Sequence, residues 1–456
     1  VEVDQRRVNL TRFPLFFPEK RDFFLETSDI YEFAPRSSQY PFFSRRIGLV
    51  DGTPVPILAG LRLGGRLGKY SVGLLQVRTQ KKAGVPADSL TLPPEDFTAA
   101  RLSRHFGEES KVGVIYTRRA THDGAVDAGN DGYFDRFQNR HTLGVDLSLA
   151  TSTFLGDKNL QFQAFVVGHN APLRRDTSSL GQRTTRGLRI NFPNDPWFAH
   201  ASYREFGTAY DPAVGFVFRR GFRRLQPTVG YQPSLEGSDV IRRLGFDLSA
   251  EYLTDLALQP QTVNVSATPL EVQFESGDFA SLSFSRDFER LQAPFDILGT
   301  ESIVLPAGTY TTYSGSVRAE TAPYRVLSGD ARLEHGSYWS GMRTRLSTGL
   351  TVRPLLGVSV GADWTYTQAN LREGDFETHV VRLDGSLDLS ADLALTAQVQ
   401  YDNLSDRLGL FTRLRWIVEP GSDLFLVYRR NWRALDRRLT PLTSTATAKL
   451  TYSVRF

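Results

Sequence analysis

The sequence predicts an all-β fold, a transmembrane antiparallel β-barrel of about 20–22 strands whose lumen is partly filled by an N-terminal segment. The first reason is a long series of segments in which apolar and polar residues alternate. Such alternation gives a strand one face for lipid and one for water. The second reason is that the connections between these segments are alternately short and long. The third is that no stretch approaches the roughly 18 consecutive apolar residues of a transmembrane helix.

The composition agrees with this fold and argues against some kinds of site and partner. Mean hydropathy is only -0.29, as expected when apolar residues occupy alternate positions. The 17 Tyr, 31 Phe and five Trp can supply the aromatic girdles of a barrel. The absence of Cys excludes disulfides and thiolate metal sites. The net charge of +4 comes from dispersed charges, which argues against a nucleic-acid partner.

Residues 1–50 differ from the rest of the chain. Apolar and charged residues occur in clumps between Asn9 and Glu26, and Pro14 and Pro18 interrupt any regular element. We therefore predict a plug or cap over residues 1–50 and a barrel over residues 51–456. The alternative is that residues 1–10 form a first strand, which would give an even strand number. Because the chain begins at Val1 without a secretory signal, we expect a processed or truncated chain whose export signal lay upstream.

Three motifs near the N-terminus carry a family resemblance. They are N-L-T-R-F-P-L-F-F-P-E-K-R-D-F-F-L-E at 9–26, P-F-F-S-R-R at 41–46 and P-V-P-I at 54–57. With G-L-L-Q-V-R-T at 73–79 and V-G-F-V-F-R-R at 214–220, they resemble a bacterial family whose large C-terminal barrel-like domain commonly follows a family-9-like carbohydrate-binding domain. The resemblance implies a barrel and suggests a link to glycans. The carbohydrate-binding domain itself is not in this chain.

The strand patterns are clearest in the second half of the chain. Apolar residues occupy every second position in L-A-L-T-A-Q-V-Q-Y-D at 393–402 and in V-S-V-G-A-D-W-T-Y-T at 358–367. We count roughly 21 such segments, many near the ~9–11 residues that cross a bilayer at a tilt. A soluble sandwich has fewer and shorter strands.

The connections place the C-terminus in the periplasm, because barrels have short periplasmic turns and longer outer loops. The predicted short turns are Gly65–Lys69, Phe106–Glu109, Asn194–Pro196, Glu275–Asp278, Glu320–Tyr324, Arg353–Leu356, Leu389–Asp392 and Glu419–Asp423. The predicted outer loops are Lys81–Pro94, Arg119–Asn139, Asn170–Thr184, Phe206–Arg223, Phe288–Thr309 and Asn431–Ser444.

The last strand pattern, T-A-T-A-K-L-T-Y-S-V-R-F at 445–456, also points to location. It resembles the closing strand of a bacterial outer-membrane barrel, whose terminal aromatic residue is read by the insertion machinery. The predicted insertion signal is Leu450, Tyr452, Val454 and Phe456. We therefore expect the outer membrane of a Gram-negative bacterium. The alternative is the last strand of a soluble sandwich.

Charged residues on the predicted inner faces form the candidate site. In the strands they include Arg343, Arg345, Asp363, Arg382, Asp384, Arg413 and Arg415. In the N-terminal segment they include Arg12, Glu19, Lys20, Arg21, Asp22, Arg45 and Arg46. Such side chains can pair with each other, hold a plug in place, or set the field for permeating solutes.

A glycine-rich acidic loop offers a candidate metal site. It contains Asp123, Asp127, Asn130, Asp131 and Asp135. Ca²⁺ prefers oxygen ligands from such loops, but the spacing is not that of an EF-hand, so a solvated loop is the default. We expect no other cofactor. The histidines form no metal-spaced pair, and only His122 and His169 are candidates for a catalytic site.

The leading functional hypothesis is an outer-membrane pore or transport channel for polar solutes, with glycans as the class that the resemblance suggests. The alternative is a structural or assembly barrel that anchors or docks a partner protein or domain. A barrel enzyme ranks last, because no catalytic constellation is present in the sequence. The expected partners are membrane lipid, lipopolysaccharide, and a periplasmic or surface protein.

Overall fold

A computed structural model describes residues 7–35, 40–50, 53–85, 90–121, 139–171, 177–435 and 438–452. These residues contain 27 strands, one α-helix and short 3-10 helices. Six strands form three two-stranded sheets. The other 21 form a β-barrel in which hydrogen-bonded neighbours follow chain order. The predicted all-β antiparallel barrel of about 20–22 strands is therefore confirmed.

The barrel strands are β3 Ile57–Leu67, β4 Tyr70–Thr79, β7 Glu95–Phe106, β8 Ser110–Thr121, β9 Arg140–Phe154, β10 Lys158–His169, β11 Thr184–Pro193, β12 Trp197–Phe206, β13 Phe222–Tyr231, β14 Ile241–Asp255, β15 Pro260–Phe274, β16 Phe279–Leu291, β19 Gly308–Glu320, β20 Leu327–Tyr338, β21 Gly341–Val352, β22 Val358–Leu371, β23 Gly374–Asp388, β24 Leu393–Asp402, β25 Arg407–Glu419, β26 Ser422–Leu435 and β27 Arg438–Thr451. The small sheets pair β1 Leu49–Val50 with β2 Thr53–Pro54, β5 Lys82–Val85 with β6 Leu90–Leu92, and β17 Phe295–Asp296 with β18 Val304–Leu305. The helical elements are α1 Asp22–Leu25 and the 3-10 helices Ser28–Tyr31, Ser44–Arg46 and Gly181–Arg183. Among the described residues, no helix has the length and apolarity needed to cross a membrane.

Strand β4 illustrates the two faces of the wall. Val72 and Leu74 are each 39% exposed, whereas Leu75 and Val77 are almost fully buried. Successive side chains of a strand point to opposite sides, so the exposed pair lies on the outer face and the buried pair on the inner face. Leucine and valine on the outer face of a membrane barrel are solvated by lipid.

The alternation of short and long connections is clear along the first strands. Tight turns at 68–69 and 107–109 join β3 to β4 and β7 to β8, and a longer connection over 80–94 lies between these hairpins. One predicted outer loop is wrong. Asn431–Ser444 belongs to a hairpin in which Asn431 pairs with Thr443. The sequence concealed this hairpin because a run of charged residues over 429–438 and Pro441 interrupt the alternation of apolar and polar residues.

The chain divides into two compact units. The N-terminal unit contains residues 13–229 and 250–261, and the C-terminal unit contains residues 1–12, 230–249 and 262–456. The alternative of a first strand over residues 1–10 has no support in the described residues, since 7–10 are not in a strand. Residues 1–6 lie outside the described residues.

Candidate functional site

The N-terminal segment, which we define as described residues 13–48, packs on the inner face of the N-terminal unit. It has few regular elements because its prolines and clumped aromatic residues favour packing over periodic hydrogen bonding. Its buried apolar side chains join those of β4 and β7 in one cluster. The members from the segment are Phe24, Ile30, Tyr31 and Ile47, and those from the wall are Leu75, Val77, Phe97 and Ala99.

A second apolar cluster continues this contact around the wall. Phe33 and Ala34 of the segment pack with Ile115 of β8 and with Phe165 and Val167 of β10. The inner wall here is therefore dry, whereas strand alternation alone predicts an inner face that contacts water. An apolar inner face is stable in this region because the segment removes it from water.

Glycines in the wall allow this close approach. A Cβ added at Gly60 would lie 2.9 Å from the ring of Phe23, and one added at Gly73 would lie 2.9 Å from both Ile30 and Tyr31. Real Cβ atoms essentially never come so close to other heavy atoms. The wall is therefore shaped to the segment.

Within the segment, Glu19 holds two distant stretches together. Its carboxylate accepts hydrogen bonds from Arg21 Nη2 and from Ser44 Oγ, both at 2.7 Å. Arg21 Nη1 also donates to the carbonyl of Ile47 at 2.7 Å. Burial alone would raise the pKa of Glu19, but the hydrogen bonds and charge of Arg21, with the Ser44 hydroxyl, outweigh it and lower the pKa to about 2.

A buried ion pair connects the segment to the wall. Arg101 of β7 donates two hydrogen bonds to Asp146 of β9, at 2.6 and 3.0 Å, and both side chains are 1% exposed. The backbone N–H of Ala34 donates to the same carboxylate at 3.1 Å. Ala34 has a positive φ of 39°, a strained conformation for a residue with a Cβ. The carboxylate thus fixes the path of the segment at this point.

Other strand charges also meet the segment or one another. Arg62 of β3 donates to the carbonyls of Phe23 and Glu26, at 2.6 and 2.8 Å, and pairs with the Glu26 carboxylate. Arg119 donates two hydrogen bonds to Glu95, at 2.7 and 2.9 Å, and both side chains are buried. The buried charges of Arg119 and Glu95 are therefore satisfied by each other.

The long connection 207–221 between β12 and β13 folds onto the segment. Tyr210 and Val214 are almost fully buried within it, although the sequence indicated a solvated outer loop. The N–H of Phe43 donates to the carbonyl of Val214 at 2.7 Å, and the N–H of Phe216 donates to the carbonyl of Tyr40 at 2.9 Å. Backbone pairing with the segment satisfies polar groups that would otherwise be buried without a partner.

The C-terminal unit has a different inner face. Arg382 of β23 lies 2.6 Å from Asp363 and 2.7 Å from Asp384. The side-chain exposures are 27% for Arg382, 45% for Asp363 and 35% for Asp384. On the opposite face of β22, Val360 is 54% exposed. The inner face therefore keeps paired charges in contact with solvent.

The remaining predicted charges outside the segment all belong to the C-terminal unit. Arg343 pairs with Glu334, and Arg415 lies 3.0 Å from Asp423. Arg345 lies in β21 and Arg413 in β25. Arg12 pairs with Glu289.

In the segment, the predicted charges mainly make local contacts. Lys20 donates its N–H to Glu19 at 2.9 Å, and Asp22 begins α1. Arg45 donates to the carbonyl of Pro18 at 3.0 Å, and Arg46 ends a 3-10 helix.

Arg101 and Asp146, the buried pair that bonds to the segment at Ala34, were not among the residues predicted from the sequence. A signal was present, since each is a charged residue at an inward position of a strand whose neighbouring inward positions are apolar or small. The register that pairs the two residues is not visible in the sequence.

Several predicted positions lie outside the described residues. They are the acidic loop residues Asp123, Asp127, Asn130, Asp131 and Asp135, together with His122, Val454 and Phe456. Leu450 and Tyr452 are described and are 69% and 72% exposed. Among the residues that the structure does describe, no cluster of three or more His, Asp or Glu could hold a metal ion.

His169 has a structural position at the end of β10. Its Nδ1 lies 2.7 Å from the carbonyl of Asn170, and its Nε2 accepts the N–H of Asp211 at 3.0 Å. Both ring nitrogens are therefore occupied by backbone groups.

Comparisons with known proteins give no family. No family model matches the chain, and no curated protein matches it. Among solved structures, the ferric-catecholate import receptor Fiu of E. coli K12 is 8% identical with a TM-score of 0.45, over 87% of this chain and 72% of that chain. A mutant of the ferric enterobactin receptor PfeA of Pseudomonas aeruginosa is 12% identical with a TM-score of 0.48, over 84% and 72%. OccK10 of Pseudomonas aeruginosa is 16% identical with a TM-score of 0.39, over 73% and 91%. Because these identities and TM-scores are low, we base the function on contacts within this chain.

Proposed function

We propose that the protein is a channel for polar solutes in the outer membrane of a Gram-negative bacterium. The observation that carries this proposal is the solvent-exposed charge cluster of Arg382, Asp363 and Asp384 on the inner face of the C-terminal unit. Paired charges on an inner wall favour water and polar solutes over apolar ones. Exposed apolar residues such as Val360 and Leu383 on the outer face suit lipid.

We propose further that residues 1–50 form a plug that stays in place during transport. Removing it would expose Leu75, Val77 and Phe97 to water, at about 1.5–3 kcal/mol for each buried side chain. It would also break the hydrogen bond from Ala34 to the buried Asp146. Solutes would then pass along the charged inner face of the C-terminal unit.

Single-channel recording in planar bilayers and liposome swelling with neutral sugars test the channel. We expect stable conductance and swelling from the full chain. A barrel that is sealed to both ions and sugars would overturn the proposal.

An engineered disulfide tests the fixed plug. The chain has no Cys, and a Cβ at Gly64 would lie 3.3 Å from the Cβ of Thr27, close to the separation found in disulfides. In Thr27→Cys/Gly64→Cys, we expect the same conductance before and after oxidation. A loss of conductance on oxidation that reduction reverses would mean that the plug moves.

The structural alternative keeps one specific observation in its favour, the tight packing of the N-terminal segment against the wall. A barrel that only anchors or docks a periplasmic or surface protein would be sealed and would co-purify with that partner. The channel proposal requires conductance without one. We expect no enzymatic role. Of the two candidate histidines, His169 bonds to the backbone through both ring nitrogens, and His122 lies outside the described residues.

Three finer expectations concern the solutes, the surroundings of the barrel and a metal site. Glycans as solutes follow only from the family resemblance at 9–26 and its companion motifs. Membrane lipid and lipopolysaccharide are the expected surroundings of the outer face. A calcium site in the loop that contains Asp123 and Asp135 remains a proposal that calcium titration of the purified protein would test.

A further inference from the structure

A cavity with a mixed polar and apolar lining lies against the N-terminal segment, within the N-terminal unit. Its volume is about 340 Å³. Glu32 and Pro35 of the segment line one side, and the other side is formed by residues of β8 to β11 and by Glu109 of the turn before β8. The cavity belongs to the N-terminal unit, whereas the exposed charges of Arg382 and its partners belong to the C-terminal unit.

Strand register brings the polar lining together. Lys111 of β8 pairs with Ser148 of β9, Ser148 with Gln163 of β10, and Gln163 with Arg189 of β11. Directly paired residues of adjacent strands share a face, so these four form one row across the wall. Two positions along the strands, Gln161 and Asn191 form the next row.

The amides in these rows have hydrogen-bonding capacity to spare. Asn191 Nδ2 donates to Gln161 Oε1 at 3.0 Å, and Gln163 Nε2 lies 3.5 Å from Ser148 Oγ. Each amide has two N–H donors and an oxygen with two lone pairs. The pairs use only part of that capacity, and so the wall offers donors and acceptors side by side.

The charges at the cavity cancel. Lys111 and Arg189 are cationic, Glu32 and Glu109 are anionic, and all four line the cavity. Lys111 Nζ lies 3.8 Å from a carboxylate oxygen of Glu32. A neutral lining with adjacent donors and acceptors matches a neutral ligand rich in hydroxyl groups, since each hydroxyl both donates and accepts.

We propose that this cavity is a binding subsite for an uncharged, polyhydroxylated solute of about one sugar ring. Its volume is near the lower end of the roughly 300–1,000 Å³ typical of small-molecule pockets. The proposal rests on the channel function, because a solute held in this subsite would be of the class that the channel passes. The path of permeation itself is proposed at the charged inner face of the C-terminal unit. Gln163 and Asn191 are the residues that contribute most to recognition.

Binding of glucose and sorbitol to the full chain in detergent micelles tests the subsite, measured by ligand-observed NMR titration. Glucuronate and glucosamine are the charged comparisons. We expect the neutral probes to bind more tightly than either, and Gln163→Leu and Asn191→Leu each to weaken their binding about tenfold. Gln76→Leu is the matched control, because Gln76 alternates with the inward Leu75 and Val77 and lies on the outer face.

A charge-changing variant keeps the test decisive if a leucine variant fails to fold. Gln163→Glu adds a negative charge to a neutral site, so we expect it to reverse the preference towards glucosamine. No binding of neutral probes, or binding unchanged in all three cavity variants, overturns the subsite.

Conductance of the same preparations separates the two proposals. A conducting protein without binding refutes only the subsite, and a sealed protein that binds refutes only the channel.

Discussion

The inner faces of the two units differ in what covers their side chains. In the N-terminal unit the inner face of β4 to β10 is largely covered by the segment, and charges there, such as Arg101 and Asp146, are buried in pairs. In the C-terminal unit the charges of Arg382 and its two partners stay in contact with solvent. The same strand alternation is therefore compatible with two kinds of inner face. One is covered by the N-terminal segment and dry, and the other is in contact with water. The difference predicts where a substitution is costly and where it changes permeation.

The largest expected effect is at the buried pair. Asp146→Ala leaves Arg101 charged and unpaired in a dry site, which costs about 3–5 kcal/mol. Asp384→Ala, in the wet wall, should cost at most about 1 kcal/mol. Denaturant unfolding of both variants in the same detergent gives the comparison. Equal losses would mean that the two inner faces are not distinct in environment.

A second effect depends on pH. The pKa of Glu19 is about 2 in the folded protein, below its ordinary 4.5. A depressed pKa means that Glu19 stabilises the fold above pH 4.5 and loses this contribution as the pH falls towards 2. We expect this contribution to stability to be on the order of 2 kcal/mol. As it is lost between pH 4.5 and 2, the sensitivity of the N-terminal segment to protease should increase.

The matched control for this pH dependence is Glu19→Gln. The segment of this variant should be more sensitive to protease than that of the parent at neutral pH. Its protease sensitivity should change little further as the pH falls over the same range. An unaltered pH profile in the variant would assign the effect to other carboxylates.

The contrast between the faces also explains what the sequence could predict. Strand alternation and connection length are local patterns, and they gave the barrel and its strand number. The buried contacts of Asp146 with Arg101 and Ala34 depend on register and on a segment more than 100 residues away, since 112 positions separate Ala34 from Asp146. The charges of β22 and β23, by contrast, were identified because a solvated inner face preserves the polar half of the alternation.

The hairpin that contains Asn431 was missed for a related reason. Charged residues over 429–438 and Pro441 interrupt its alternation, so the local pattern resembled a loop. The inward fold of 207–221 was missed because backbone pairing with Tyr40 and Phe43 is a long-range contact.

A third effect tests the fit of the segment. Gly73→Ala places a Cβ 2.9 Å from Ile30 and Tyr31, so we expect a loss of about 1–2 kcal/mol and greater protease sensitivity of the segment. Gly361→Ala is the control in the other unit, because its nearest neighbour would lie at 3.7 Å, an ordinary contact. Similar effects of the two substitutions would contradict the close fit at Gly73.

The smallest expected effect on stability is at the exposed charges, where permeation should change instead. Arg382→Gln leaves Asp363 and Asp384 without their cation and should shift the channel towards cations, with at most about 1 kcal/mol of stability lost. The reversal potential in a salt gradient measures this selectivity. In Arg382→Gln/Asp363→Asn the net charge is restored, and the shift should largely disappear. Because the screened field of these charges weakens as salt increases, the difference between the variants should also be largest at low ionic strength. A reversal potential that is the same in all three proteins would place the solute path away from this face.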